Sequence, residues 1–147
     1  MKRVWFFGAV VILLTLGVAA CQPVVEGPQI EVSDVWGRPS PMKEGNGAIY
    51  MTITNLGSED DRLLSAASDV AEVVELHDMT MENDVMKMFH VDFMDVPAGG
   101  SLELKPGGKH VMLIGLHEQL QPGQVVALTL QFEKAGSILV EAEIRQP

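Results

Sequence analysis

From Ile30 to Ile144 no stretch of the chain keeps a helical repeat; short apolar or alternating runs are cut off every few residues by Gly, Pro, Asn or Asp. Runs of this length and spacing read as strands and predict an all-β fold, an antiparallel sandwich or barrel. The expected strands are Ile30–Trp36, Ala48–Asn55, Arg62–Ser68, Val73–Met81, Val85–Met94, Ser101–Leu104, Lys109–Leu116, Val125–Glu133 and Ser137–Ile144. Turn signals such as Asn55-Leu56-Gly57, Pro106-Gly107-Gly108 and Gln121-Pro122-Gly123 separate them. Ser68–Val73 has room for a single helical turn.

One hairpin can be read in more detail. If Asn83 and Asp84 form its tip, the register places Leu76 opposite Val91 and Val74 opposite Phe93, an apolar face for the core. The other face then carries His77 beside His90, Met79 beside Met88 and Met81 beside Met86, along with Glu75 and Asp92. A slip of one residue would destroy both sets at once.

Methionine usually fills gaps in a core, but here it is concentrated. Met79, Met81, Met86, Met88, Met94 and Met112, out of nine in the chain, fall between Glu75 and Leu116. That window holds two His-x-Met pairs, His77–Met79 and His110–Met112, and no cysteine. Imidazole with thioether is a soft, neutral ligand set that suits Cu(I) better than zinc, calcium or magnesium. Met94, at a strand end, could face either side. Met42 and Met51 fit no such pattern and read as structural. His110, Met112 and Ile114 share one face of an apolar run whose other face carries Val111 and Leu113, which suggests a central strand. Whether the two His-x-Met pairs meet in space is not decided by sequence.

The chain opens Met1-Lys2-Arg3 and runs apolar from Val4 to Ala20, the form of an export signal. Val18-Ala19-Ala20-Cys21 reads as a lipobox, with 1–20 a lipoprotein signal peptide, Cys21 the lipidated residue, 21–28 a tether and 29–147 the β domain. The bland alternative is an uncleaved anchor; either way the protein is exported, facing the periplasm or cell surface and held to the membrane. Cys21 is the only cysteine, so the domain has no disulfide, no thiol nucleophile and no Cys-ligated zinc or blue-copper centre. The formal net charge of −10 argues against nucleic acid and anionic lipid as partners.

The spacing His77-x10-Met88-x21-His110-x-Met112 resembles that of the bacterial periplasmic copper chaperones of the PCuAC type. The surrounding Asn46-Gly47-Ala48-Ile49-Tyr50, Ile53-Thr54-Asn55, Asp61-Arg62-Leu63, Leu104-Lys105-Pro106-Gly107-Gly108 and Leu128-Thr129-Leu130 are also similar to that family. The resemblance implies a cupredoxin-like Greek-key β-barrel that binds one Cu(I) per domain through His77, Met88, His110 and Met112. It also implies delivery of copper to the CuA centre of cytochrome c oxidase, beside a Sco-type thioredoxin-fold protein. Met79, Met81, Met86 and His90 are less standard and stand as auxiliary metal residues, sufficient for ligand exchange or a second, weaker site. Met79 is demoted by the spacing, which selects Met88 instead.

Two other functions compete: a copper-buffering protein that sequesters rather than delivers, and a metal-free β-sandwich for adhesion or assembly. No nucleophile motif accompanies the Ser, His and Asp residues, so no enzymatic activity is expected.

Overall fold

A computed structural model of the chain describes residues 26–42 and 45–146. The expected signal peptide, Cys21 and the first part of the tether lie outside the described residues. The strands are β1 (Ile30–Gly37), β2 (Gly47–Asn55), β3 (Asp61–Ala67), β4 (Ala71–Glu82), β5 (Val85–His90), β6 (Met94–Val96), β7 (Ser101–Leu104), β8 (His110–Leu116), β9 (Val125–Phe132) and β10 (Ser137–Ile144). They form one ten-stranded sheet in the order β5-β4-β8-β2-β1-β10-β9-β3-β6, with β7 also on β2. The sheet curls over its own core, so that β3 touches β4 and β6 touches β7.

Four sequence expectations need correction. The run Val85–Met94 is not one strand, because β5 stops at His90 and β6 crosses to pair with β3. Burial drives the break: Met94 and Val96 turn into the core, which a straight continuation along β4 would deny them. Phe93, expected in the core opposite Val74, lies instead on the surface with the Arg62 guanidinium 4.6 Å from its ring centre. Pairing is not wholly antiparallel either, since β1 runs parallel to β10 through Trp36↔Glu143 and Gly37↔Ile144. A register shift between Ser33 and Trp36, with Asp34 at φ 51°, bends β1 so that its last residues reach β10. Finally, Met51 is buried as a structural methionine should be, but Met42 is 65 % exposed.

Strand β2 organises the region that matters most. Its first residues, Gly47–Ile49, pair with β8, and Met51–Thr54 pair with β7. Strands β7 and β8 therefore follow one another along one side of β2, joined by the turn in which Gly108 N–H donates to Lys105 O at 3.0 Å. This arrangement sets His110 at the turn, as the first residue of β8.

The core is Ile49, Ile53, Leu63, Leu113, Leu128, Leu130, Phe132 and Ile144 with their neighbours, each worth roughly 1.5–3 kcal/mol when fully buried. Among the described residues the buried polar side chains are Ser40, Asn55, Asp61 and His110. Two of these are saturated structural knots. Asn55 accepts from the Gln29 and Gly57 amides and donates to the Glu59 and Val96 carbonyls. The Asp61 carboxylate accepts from the Arg62, Lys134 and Ala135 amides. His110 is not explained by the fold in this way.

Candidate metal centre

The arm formed by β4 and β5 is built by its turn. Asn83 and Asp84 have φ of 50° and 60°, the left-handed region that Asn and Asp tolerate better than other side-chain-bearing residues. Two such residues make the two-residue turn whose twist matches the strands. The resulting register is His77↔His90, Met79↔Met88 and Met81↔Met86, as expected from the sequence. Beyond β5, Val91 N–H donates to Leu76 O at 2.9 Å, so Leu76 and Val91 are a hydrogen-bonded pair. By alternation, the three His and Met rungs occupy non-hydrogen-bonded positions, where Cα atoms approach to about 4.5 Å and side chains are closest. Every residue from Thr80 to His90 is exposed.

Strand β4 also pairs with β8, matching His77 with His110 and Glu75 with Met112. The two His-x-Met pairs thus meet in space. His77 stands between two other histidines, its ring centre 6.2 Å from that of His90 and 5.8 Å from that of His110. The fourth histidine, His117, is at the far end of β8 and bonds the Asp69 carbonyl.

A cleft of about 330 Å³ opens here, walled by Met79, Met88, His110 and Met112 and flanked by Tyr50 and Arg38. Of the four motif residues, Met88, His110 and Met112 line it directly. His77 does not line it, and its side chain is 13 % exposed. Met79, demoted on spacing, shares the wall with Met88. Met81 and Met86 lie outside the cleft, farther out on β4 and β5, and His90, paired with His77 at the base of the arm, does not line it either. A larger hollow of about 510 Å³, between Asp60, Arg62, Asp95 and Lys134, has no comparable chemistry, because the Asp61 carboxylate at its edge is already engaged by backbone amides.

Hydrogen bonding fixes which imidazole nitrogens are free. His110 Nδ1 lies 2.8 Å from the Gly108 carbonyl; a carbonyl only accepts, so Nδ1 carries the proton and Nε2 keeps its lone pair. His77 Nε2 lies 2.7 Å from Glu75 Oε2, so the carboxylate accepts the Nε2 proton and Nδ1 keeps the lone pair. That Nδ1 is buried and has no partner among the described residues, a condition costing about 1–3 kcal/mol unless something fills it. The sequence pattern marks Glu75 only as a face-mate of the methionines. Its role had a visible signal in Glu75-x-His77, one strand repeat apart.

The remaining polar groups do not compete for a cation. Asp78 is disfavoured as an anion by burial, but hydrogen bonds from Lys109 and the Met79 amide, with the Lys109 charge, hold its carboxyl below the usual range. It belongs to Lys109, its ion-pair partner. Burial pushes the Tyr50 phenol up, against the opposing pull of Arg38, so the cleft wall carries a neutral hydroxyl. Among the described residues no group of three His, Cys, Asp or Glu is placed to hold a metal. A donor set at this cleft would have to draw on the thioethers.

The family model described as "Putative lipoprotein LpqE-like" matches residues 30–144. This chain belongs to the LpqE-like family. Over 131 residues this LpqE-like chain is 29 % identical to "Putative lipoprotein Lxx21020" of Leifsonia xyli subsp. xyli, covering 88 % of its own length and 78 % of the relative's. The copper-bound PCuAC domain from PmoF2 superposes with a TM-score of 0.68 and 26 % identity, over 80 % of this chain and 93 % of that one. The solution structure of Cu(I)-bound DR1885 from Deinococcus radiodurans gives a TM-score of 0.56 and 31 % identity, over 78 % of each chain. The LpqE-like fold is therefore the cupredoxin-like fold of the PCuAC domains.

Proposed function

We propose that this domain is an extracytoplasmic copper chaperone that carries one Cu(I) in the cleft between the β4–β5 arm and β8. The observation that carries the reading is the buried, unpartnered Nδ1 of His77, in a ring whose centre is 5.8 Å from that of His110, beside a wall of thioethers. Two imidazole nitrogens, His77 Nδ1 and His110 Nε2, and the sulfurs of Met88 and Met112 supply four neutral donors, with Met79 within reach. Soft sulfur favours Cu(I), and a neutral set buries a single charge at lower cost than the double charge of Cu(II). The Glu75 carboxylate behind His77 holds the imidazole in the binding tautomer and offsets the cation's charge. Copper-bound neighbours of the same fold support this reading.

The reading extends to placement and partners. Lipoprotein names in the family and the Leifsonia relative support lipidation at Cys21 and anchoring outside the cytoplasm. Exposed thioethers allow stepwise exchange with an acceptor's thiolates, and the CuA centre of cytochrome c oxidase is the proposed acceptor. Having one cysteine, and that one at the anchor, the domain cannot reduce an oxidised acceptor; a Sco-type dithiol protein would do so.

Anaerobic competition with a chromogenic Cu(I) chelator tests binding, with one tight equivalent expected and no competition refuting the reading. Delivery is read from oxidase copper in cells lacking the protein. A normal oxidase together with copper sensitivity would point to buffering instead.

A further inference from the structure

We infer that the outermost rung of the arm, Met81 and Met86, forms a second and weaker Cu(I) site through which the ion passes to and from the cleft. This rests on reading the cleft as a Cu(I) site. The two residues are register partners and are 60 % and 46 % exposed, so neither supplies the burial that normally accounts for a methionine. Their position is non-hydrogen-bonded, which brings the thioethers together over one strand pair. The opposite face of the arm carries Asp78, Thr80, Glu82 and Lys87, the last two joined as an ion pair. Sulfur is therefore confined to the face that leads to the cleft.

The spacing is continuous. Two residues along each strand, about 6.7 Å away, the Met79↔Met88 rung forms the cleft wall. The Met86 methyl carbon lies 3.8 Å from the point a Cβ on Gly107 would occupy, and Gly107 itself lines the cleft. Long, unbranched thioether side chains bridge such a gap by rotamer changes. A site of two exposed sulfurs binds more weakly than one that also has two imidazoles, so the ion runs inward on loading. On unloading, an acceptor thiolate meets it at the arm. The ion stays Cu(I) throughout: Cu–S bonds at the arm give way stepwise to the Cu–S and Cu–N bonds of the cleft, the reverse holds on leaving, and no electron moves.

The test uses the protein labelled with ¹³C at the methionine methyls and titrated anaerobically with Cu(I). The first equivalent should shift the Met88 and Met112 methyls, and the second those of Met81 and Met86. In M81L/M86L the first equivalent should bind within about twofold of wild type, because neither side chain lines the cleft and leucine keeps the volume. The second should be lost, and transfer of the first to a dithiol acceptor slowed about tenfold. Unmoved Met81 and Met86 methyls at two equivalents, or wild-type transfer in M81L/M86L, would overturn this inference alone. Failure to bind even one equivalent would remove the reading of the cleft with it.

Discussion

His77 and His110 are register partners across β4 and β8, and their rings meet edge to face with centres 5.8 Å apart. This pairing joins two segments that are remote in sequence and creates the cleft. Replacing His110 and Met112 together by alanine removes the proposed donors on the β8 side. Cu(I) affinity should fall by more than about a hundredfold, beyond the usual loss for residues that only support a ligand. Competition with a chelator of known affinity measures it, and an unchanged constant would refute the site.

Glu75 orients His77 from the side away from the lone pair. Glu75→Ala should weaken Cu(I) binding about 10- to 100-fold. Glu75→Gln, whose carbonyl still accepts the Nε2 proton, should recover part of that loss. Equal losses in both variants would mean that charge, not orientation, is what Glu75 contributes.

Met79 and Met88 face one another on the cleft wall, which makes their sulfurs partly redundant. Leucine keeps the volume, so stability should change by less than about 1.5 kcal/mol in either single variant. Each single variant should lose about tenfold in Cu(I) affinity, and the double variant more than the product. Wild-type affinity in Met79→Leu would restore the selection of Met88 alone that the spacing suggested.

Asn55 ties the chain before β1, the end of β2 and β6 through four hydrogen bonds, all made with backbone groups. Asn55→Ala leaves buried donors and acceptors unpaired and should cost about 2–4 kcal/mol in denaturant unfolding. The protein that remains folded should bind Cu(I) as wild type does, because the knot lies away from the cleft.

The local features of this fold were readable from sequence because they repeat locally. A two-residue period and an Asn-Asp tip determined the β4–β5 register, and with it the Met and His rungs. What was hidden depends on distant partners. The apolar run through Val91 and Met94 gave no sign that burial against β3 would split it, or that Phe93 would end beneath Arg62. The parallel contact of β1 with β10 follows from a bulge at Asp34, where nothing in the composition marks a bend. The meeting of His77 with His110, and with it the return of Met79 to the wall, required the whole sheet order.

The unpartnered nitrogen of His77 also sets a limit on how stable this domain can be while still working. An apolar side chain at position 77 would fill the same space without an unsatisfied lone pair, and Glu75, only partly buried, would turn to water. His77→Leu should therefore unfold at higher denaturant than the copper-free wild type while binding Cu(I) far less tightly. That outcome would mean that retaining His77 keeps binding at the expense of stability.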